Sequence, residues 1–144
     1  NQASVSTPTL PVMENATMAS AYAQIEAAMK PYFDGFYEGN IETLQQVFHP
    51  NCHLYSATLG ELADDDMDAV YARVAAREAP ARRNERRTDR IISIEFSDDV
   101  TALAIVQIGI GDKLYTDFLN FIKLKGEWRI IAKIYTFTSR EIPL

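Results

Sequence analysis

The feature that most limits how this chain can fold is its C-terminal half. Residues 88–97 (TDRIISIEFS), 100–110 (VTALAIVQIGI), 114–124 (LYTDFLNFIKL) and 127–138 (EWRIIAKIYTFT) are rich in β-branched and aromatic side chains. Asp98-Asp99, Gly111-Asp112 and Lys125-Gly126 separate them as short turns. Long β-rich segments joined this tightly form consecutive hairpins, a meander. Segments 100–110 and 118–124 are apolar at both odd and even positions. A strand that is apolar on both sides needs cover on both. Helices supply one cover, and a second copy of the same sheet is the simplest candidate for the other. A homodimer through the outer sheet face is therefore expected.

The N-terminal half supplies the helices. Tyr22, Ile25, Met29, Tyr32 and Phe36 recur at three- and four-residue spacing from about Thr17, which places them on one helix face. Pro31 lies inside that run and predicts a kink, since it cannot donate to the carbonyl of Ala27. Gly39 ends the helix and Asn40 caps a short second one with Ile41, Leu44, Val47 and Phe48 inward. His49-Pro50-Asn51 reads as a break, 52–58 (CHLYSAT) as a first strand, and Gly60 as its turn. Asp64-Asp65-Asp66 opens a third helix with Met67, Val70, Tyr71 and Val74 on its core face, fading before Pro80. Helices first and sheet last is the α+β class. At 144 residues the chain suits one domain, 17–144, behind an extended or disordered arm at 1–16 that carries two prolines. Asn15-Ala16-Thr17 matches a glycosylation acceptor, a triplet common by chance.

Charge and cysteine content exclude some functions. A net charge of −6 argues against wholesale binding to nucleic acid or to an acidic membrane. No apolar run approaches the roughly 18–20 residues of a membrane span. Cys52 is the one cysteine, so no intrachain disulfide forms and packing must hold the fold. No signal peptide is visible and a cytoplasmic location is favoured, although a chain starting at Asn1 leaves room for a removed leader.

Four stretches together carry a resemblance: Tyr32-Phe33-Asp34-Gly35-Phe36-Tyr37-Glu38-Gly39-Asn40; Phe48-His49-Pro50; Tyr115-Thr116-Asp117-Phe118-Leu119; and Gly126-Glu127-Trp128-Arg129-Ile130-Ile131-Ala132-Lys133. From about Ala19 to Thr138 the chain resembles the nuclear transport factor 2-like superfamily. Within it the chain is similar to the group labelled "putative lumazine-binding", close to the polyketide-cyclase-like (SnoaL-like) proteins. The resemblance implies a cystatin-like α+β cone, in which a curved antiparallel sheet wraps the N-terminal helices and leaves a pocket at one end. It implies dimerisation through the sheet. Some members are isomerases, dehydratases, epoxide hydrolases or cyclases, and others bind or associate without catalysis, so the fold does not deliver the function. The lumazine label points to a small aromatic heterocycle.

In the enzymes of that superfamily a carboxylate or histidine reaching into the cone acts as base. Asp117 is the first candidate here, a lone carboxylate in a strand of Leu, Phe and Ile. The two-residue turn at Lys125-Gly126 sets Lys133 opposite Phe118 and leaves Asp117 one step away, unless a bulge at Gly126 changes the register. The other reading of Asp117 is a structural ion pair or a solvated strand end. His53 and Tyr55 share one face of the first strand, either as a polar pair inside the cone or as a surface histidine beside a packing tyrosine. His49, before Pro50, reads as structural. Tyr22, Tyr32, Phe36, Tyr71, Tyr135 and Phe137 suit a pocket wall, Tyr55 can join them as a ligand contact, and the same aromatic composition suits a plain core. Arg82, Arg83, Arg86, Arg87 and Arg90 make either an anion site or a solvated loop, and the acidic total favours the loop. Two histidines and one cysteine build no usual zinc site, so no metal is expected. Gly109-Ile110-Gly111 is a turn region rather than a dinucleotide fingerprint, no nucleophile elbow appears, and no cofactor is expected.

Three functions follow, each with its own structural signature. A binding domain for a small apolar or aromatic molecule predicts a Tyr/Phe-lined pocket with few convergent charges. An isomerase-, dehydratase- or cyclase-type enzyme predicts Asp117 or His53 buried in the cone within reach of a tyrosine hydroxyl. An association module predicts no cavity beyond a few waters.

Overall fold

The computed structural model describes residues 15–144; residues 1–14 of the expected arm lie outside the described residues. Helix α1 (Asn15–Glu38) begins inside that expected arm and continues across Pro31. Its buried face is Ala21, Ile25, Met29, Tyr32, Phe33 and Phe36. Tyr22 is 42% exposed, which corrects its expected place on that face. One residue's rotation decides this, since Ala21 and not Tyr22 lies one turn before Ile25 on the inward side. Gly39 takes φ +66 and ends the helix as expected. Asn40 caps α2 (Ile41–Gln45) by accepting from the Thr43 backbone N–H at 3.2 Å.

Strand β1 (Phe48–Ser56) starts four residues earlier than expected and runs through Pro50. The register against its neighbour shifts between Phe48 and His53, and an irregularity is where a strand tolerates proline. None of the three aspartates is helical. Asp64 and Asp65 lie in a short edge strand, β2 (Ala63–Asp66), and Asp66 caps α3 (Met67–Ala76) by accepting from Ala69 N–H at 2.9 Å. A 3-10 turn, Pro80–Arg83, leads into the meander of β3 (Asp89–Phe96), β4 (Thr101–Ile110), β5 (Lys113–Leu124) and β6 (Glu127–Ser139). Lys125 and Gly126 take φ +51 and +81, which suits the tight β5–β6 hairpin turn.

The six strands form one sheet in the order β2-β1-β6-β5-β4-β3. Every pairing is antiparallel except β1 with β6, which is parallel, so the sheet is mixed rather than wholly antiparallel. A parallel neighbour needs a long crossover, and everything between residues 57 and 126 provides it. Helix α1 packs against β3, β4 and β6, while α3 packs against β1 and β2. The core lies between, with Ala102, Ala104, Val106, Ile108, Leu119, Phe121, Trp128 and Ile130 facing the helices. The outer face stays open. Phe118 (46% exposed) sits opposite Ile134 (53% exposed), between Ile105 and Tyr55 in one cross-strand row. Among the described residues, no helix is long and apolar enough to cross a membrane.

Candidate functional site

The site originates in a register shift. From Leu124–Glu127 to Phe121–Ile130 the β5–β6 pairs follow the two-residue turn. The register then shifts: Asn120 faces Ala132, and Ile131 is the extra residue. The bulge is therefore in β6 itself and not at Gly126. An unshifted strand sets Lys133 opposite Phe118 on the outer face. The extra residue sets it opposite Leu119 instead, on the inner face with Asp117 and Tyr135.

Two opposite charges are consequently inside the protein. Asp117 is fully buried and Lys133 is 5% exposed. Lys133 Nζ lies 3.4 Å from Asp117 Oδ2, and the Tyr32 hydroxyl donates a short hydrogen bond to that same oxygen. Asp117 Oδ1 is buried without a partner among the described residues. The ammonium also sits over three rings, 4.9 Å from the Phe36 centroid, 5.2 Å from Tyr32 and 5.4 Å from Tyr135. Burial pulls the Lys133 pKa below its ordinary value, with Asp117 opposing. Burial, and then the Asp117 charge, raise the Tyr32 phenol well above its ordinary value, so Tyr32 stays a donor. Burial also pushes the nearby Cys52 thiol up to about 12.

Lys133 is the member of this trio that reaches open space. It lines a hollow with Phe36, Leu54, Ile108, Tyr115 and Tyr135, closed on the α3 side by Val70, Arg73, Val74 and Arg77. The enclosed end has about 40 Å³ of space, enough for a few waters and no more than an association module was expected to leave. A ligand therefore has room only where this end joins the space outside it. Arg73, Arg77, Ile110 and Tyr115 also border a wider basin of about 460 Å³ outside it. Three cations thus converge where a Tyr/Phe wall with few charges was expected. Among the described residues, no acid lines the enclosed end.

The expected site residues divide into groups. Phe36 and Tyr135 line the hollow, and Tyr32 stands behind it on Asp117. Tyr71 packs half-buried against the core, and Phe137 packs on Tyr115 and Tyr135 without reaching the hollow. His53 and Tyr55 share a face and stack at 5.9 Å, yet that face is the outer one. Alternation along β1 buries Cys52, Leu54 and Ser56 and turns His53 outward, where its Nδ1 meets Asp64 Oδ1 at 2.7 Å. His53 is therefore corrected as a candidate base within the cone. Of the arginine cluster, Arg83 binds Glu85, Arg87 binds Asp34 and Asp89, and Arg90 binds Gln107. Arg73, Arg77 and Tyr115 were missed as site residues. Only Arg73 carried a signal, three residues after Val70 on α3, whereas Arg77 follows the end of that helix in extended backbone.

Comparison with known proteins agrees with this architecture. The model of the family described as "Putative lumazine-binding" matches residues 20–136. A curated relative, "Aldolase FrzH" from Cladobotryum sp, is 24% identical over 121 residues, covering 84% of this chain and 88% of that protein. A crystal structure of an NTF-2 like protein of unknown function from Silicibacter pomeroyi DSS-3 superposes with TM-score 0.74 at 22% identity, covering 84% of this chain and 98% of the other. A cystatin-like fold protein from Burkholderia xenovorans LB400 superposes with TM-score 0.61 at 18% identity, covering 83% and 93%.

Proposed function

The chain belongs to the family described as "Putative lumazine-binding" and has the nuclear transport factor 2-like fold, and on that premise we propose that its hollow activates a small carbonyl compound by exchanging a proton between the substrate's α-carbon and Lys133. One observation carries the reading: a lysine buried among aromatic rings, on the wall of a cavity, with a carboxylate behind it. Burying two charges costs several kcal/mol per ion, roughly, before their attraction offsets it. A cavity wall is where such a cost suggests chemistry.

The proton balance is simple. Lys133 as the free amine takes the α-proton, and the C–H electron pair moves onto the carbonyl oxygen as an enolate. The ammonium so formed faces Asp117 at 3.4 Å and lies beside the new oxyanion, which it stabilises. Asp117 and Tyr32 do not line the hollow. They act through Lys133, holding it in place and balancing its charge. An aldol step passes through such an enolate, so the relative named an aldolase fits this reading.

A second reading is binding of a flat molecule without catalysis. The rings of Phe36, Tyr115 and Tyr135 on the wall favour it. Loss of α-protons to D₂O separates the two, followed by ¹H NMR on a panel of aldehydes, ketones and 2-oxo acids. Wild type is expected to exchange at least one class faster than buffer, and Lys133→Met to slow this by about 10²-fold or more. The double variant Asp117→Asn/Lys133→Met, which removes both charges of this pair together, is expected to be equally slow while folded. Exchange at the buffer rate throughout, or unchanged in the folded double variant, overturns the catalytic reading.

A further inference from the structure

We infer that the molecule entering the hollow carries a carboxylate, and that Arg77 is the residue that holds it. The inference deepens the reading of this hollow as a ligand site by naming a chemical class, and it stands or falls on binding alone. Of the three cations on the wall, two already have anionic partners. Lys133 faces Asp117 at 3.4 Å, and Arg73 Nη1 binds Asp65 Oδ2 at 2.9 Å. Arg77 makes no ion pair and no side-chain hydrogen bond among the described residues, and its Nη2 is buried without an acceptor. Its guanidinium lies 5.8 Å from the Phe36 centroid, against the same ring that supports Lys133.

A guanidinium does not discard its charge to escape this position. A buried donor without an acceptor is costly, and a ligand that supplies one recovers that cost. The acids of the outer basin are occupied, Glu78 near Arg83 at 4.0 Å and Asp112 with Lys113 at 3.4 Å. The missing acceptor is thus one that the described residues do not provide. The narrow enclosed end suits a small planar head, and a carboxylate matches the guanidinium fork in shape and charge. Lys133, Tyr115 and Tyr135 line that same end, so a carbonyl next to the carboxylate lies within it, on the Lys133 side.

The test compares isosteres that differ in charge. Acetate against acetamide and benzoate against benzamide are titrated into the full chain and followed by ¹⁵N-resolved NMR. In wild type at least one acid is expected to bind about tenfold or more tighter than its amide. Arg77→Met keeps a long apolar side chain at this position and is expected to abolish that preference. Equal binding of acid and amide in both pairs, or a preference that survives in folded Arg77→Met, overturns the inference. The wild-type comparison needs no variant, so misfolding of Arg77→Met does not obscure the result. Proton exchange is not read at all, so an inactive protein that prefers acids overturns only the catalytic reading.

Discussion

Asp117 and Lys133 are each harmful alone and tolerable together. Removing one partner of a buried pair leaves the other charge unpaired, at a cost of about 3–5 kcal/mol. Asp117→Asn and Lys133→Met are each expected to lose stability in that range by urea denaturation, and the double variant to lose clearly less than the sum. Additive losses would mean that the two side chains do not sense each other. The same burial gives the proposed reaction its pH dependence. Only the free amine accepts a proton, and burial lowers the Lys133 pKa. Exchange is therefore expected to rise with pH and to level off below the ordinary lysine value of 10.5. A rate still climbing beyond 10.5 would exclude Lys133 as the base. Asp117 was conspicuous in sequence as a lone acid in a greasy strand. Arg77 was not, because an arginine just past a helix end ordinarily faces water.

Among the elements, the two N-terminal helices fit closely. A Cβ on Gly35 would stand 2.6 Å from Leu44 Cδ2 and 3.3 Å from the Leu44 backbone nitrogen. Leu44 is fully buried and α2 is held at both ends, by the Asn40 cap and by the Ile130 N–H donating to Val47 O at 2.8 Å. Gly35→Ala is therefore expected to cost about 1–3 kcal/mol through overpacking. A thermal melt matching wild type would show that α2 yields freely. The helix stop at Gly39, the Asn40 cap and the β5–β6 turn were all legible because each is a local choice of backbone conformation. The start of β1 was not, since Pro50 is a breaker in isolation and is tolerated here in an irregular stretch, Phe48 to His53, where β1 advances further than the β6 residues it faces.

For the molecule as a whole, the open question is the outer sheet face. Ile105, Phe118, Ile134 and Tyr55 form an apolar row across four strands, with Phe118 and Ile134 about half exposed. We propose that a second copy of the chain covers this row, as expected for strands apolar on both sides. Light scattering coupled to size exclusion is expected to give about twice the 16.2 kDa chain mass, and Phe118→Glu to give the chain mass. A 16.2 kDa species for wild type at micromolar concentration would remove the dimer.

The sequence by itself determined the α+β order, the meander and its turns, and the helix faces to within one residue. All of these rest on interactions between near neighbours in the chain. It also singled out Asp117. Tertiary structure alone decided what Asp117 meets. In β6, Trp128 and Ile130 point inward before the bulge, and Lys133 and Tyr135 after it. The change of phase falls at Ile130-Ile131, two identical apolar residues that leave no mark in the pattern. Only pairing with β5 on one edge and β1 on the other fixes which of the two is extra, and with it whether Lys133 faces water or the interior.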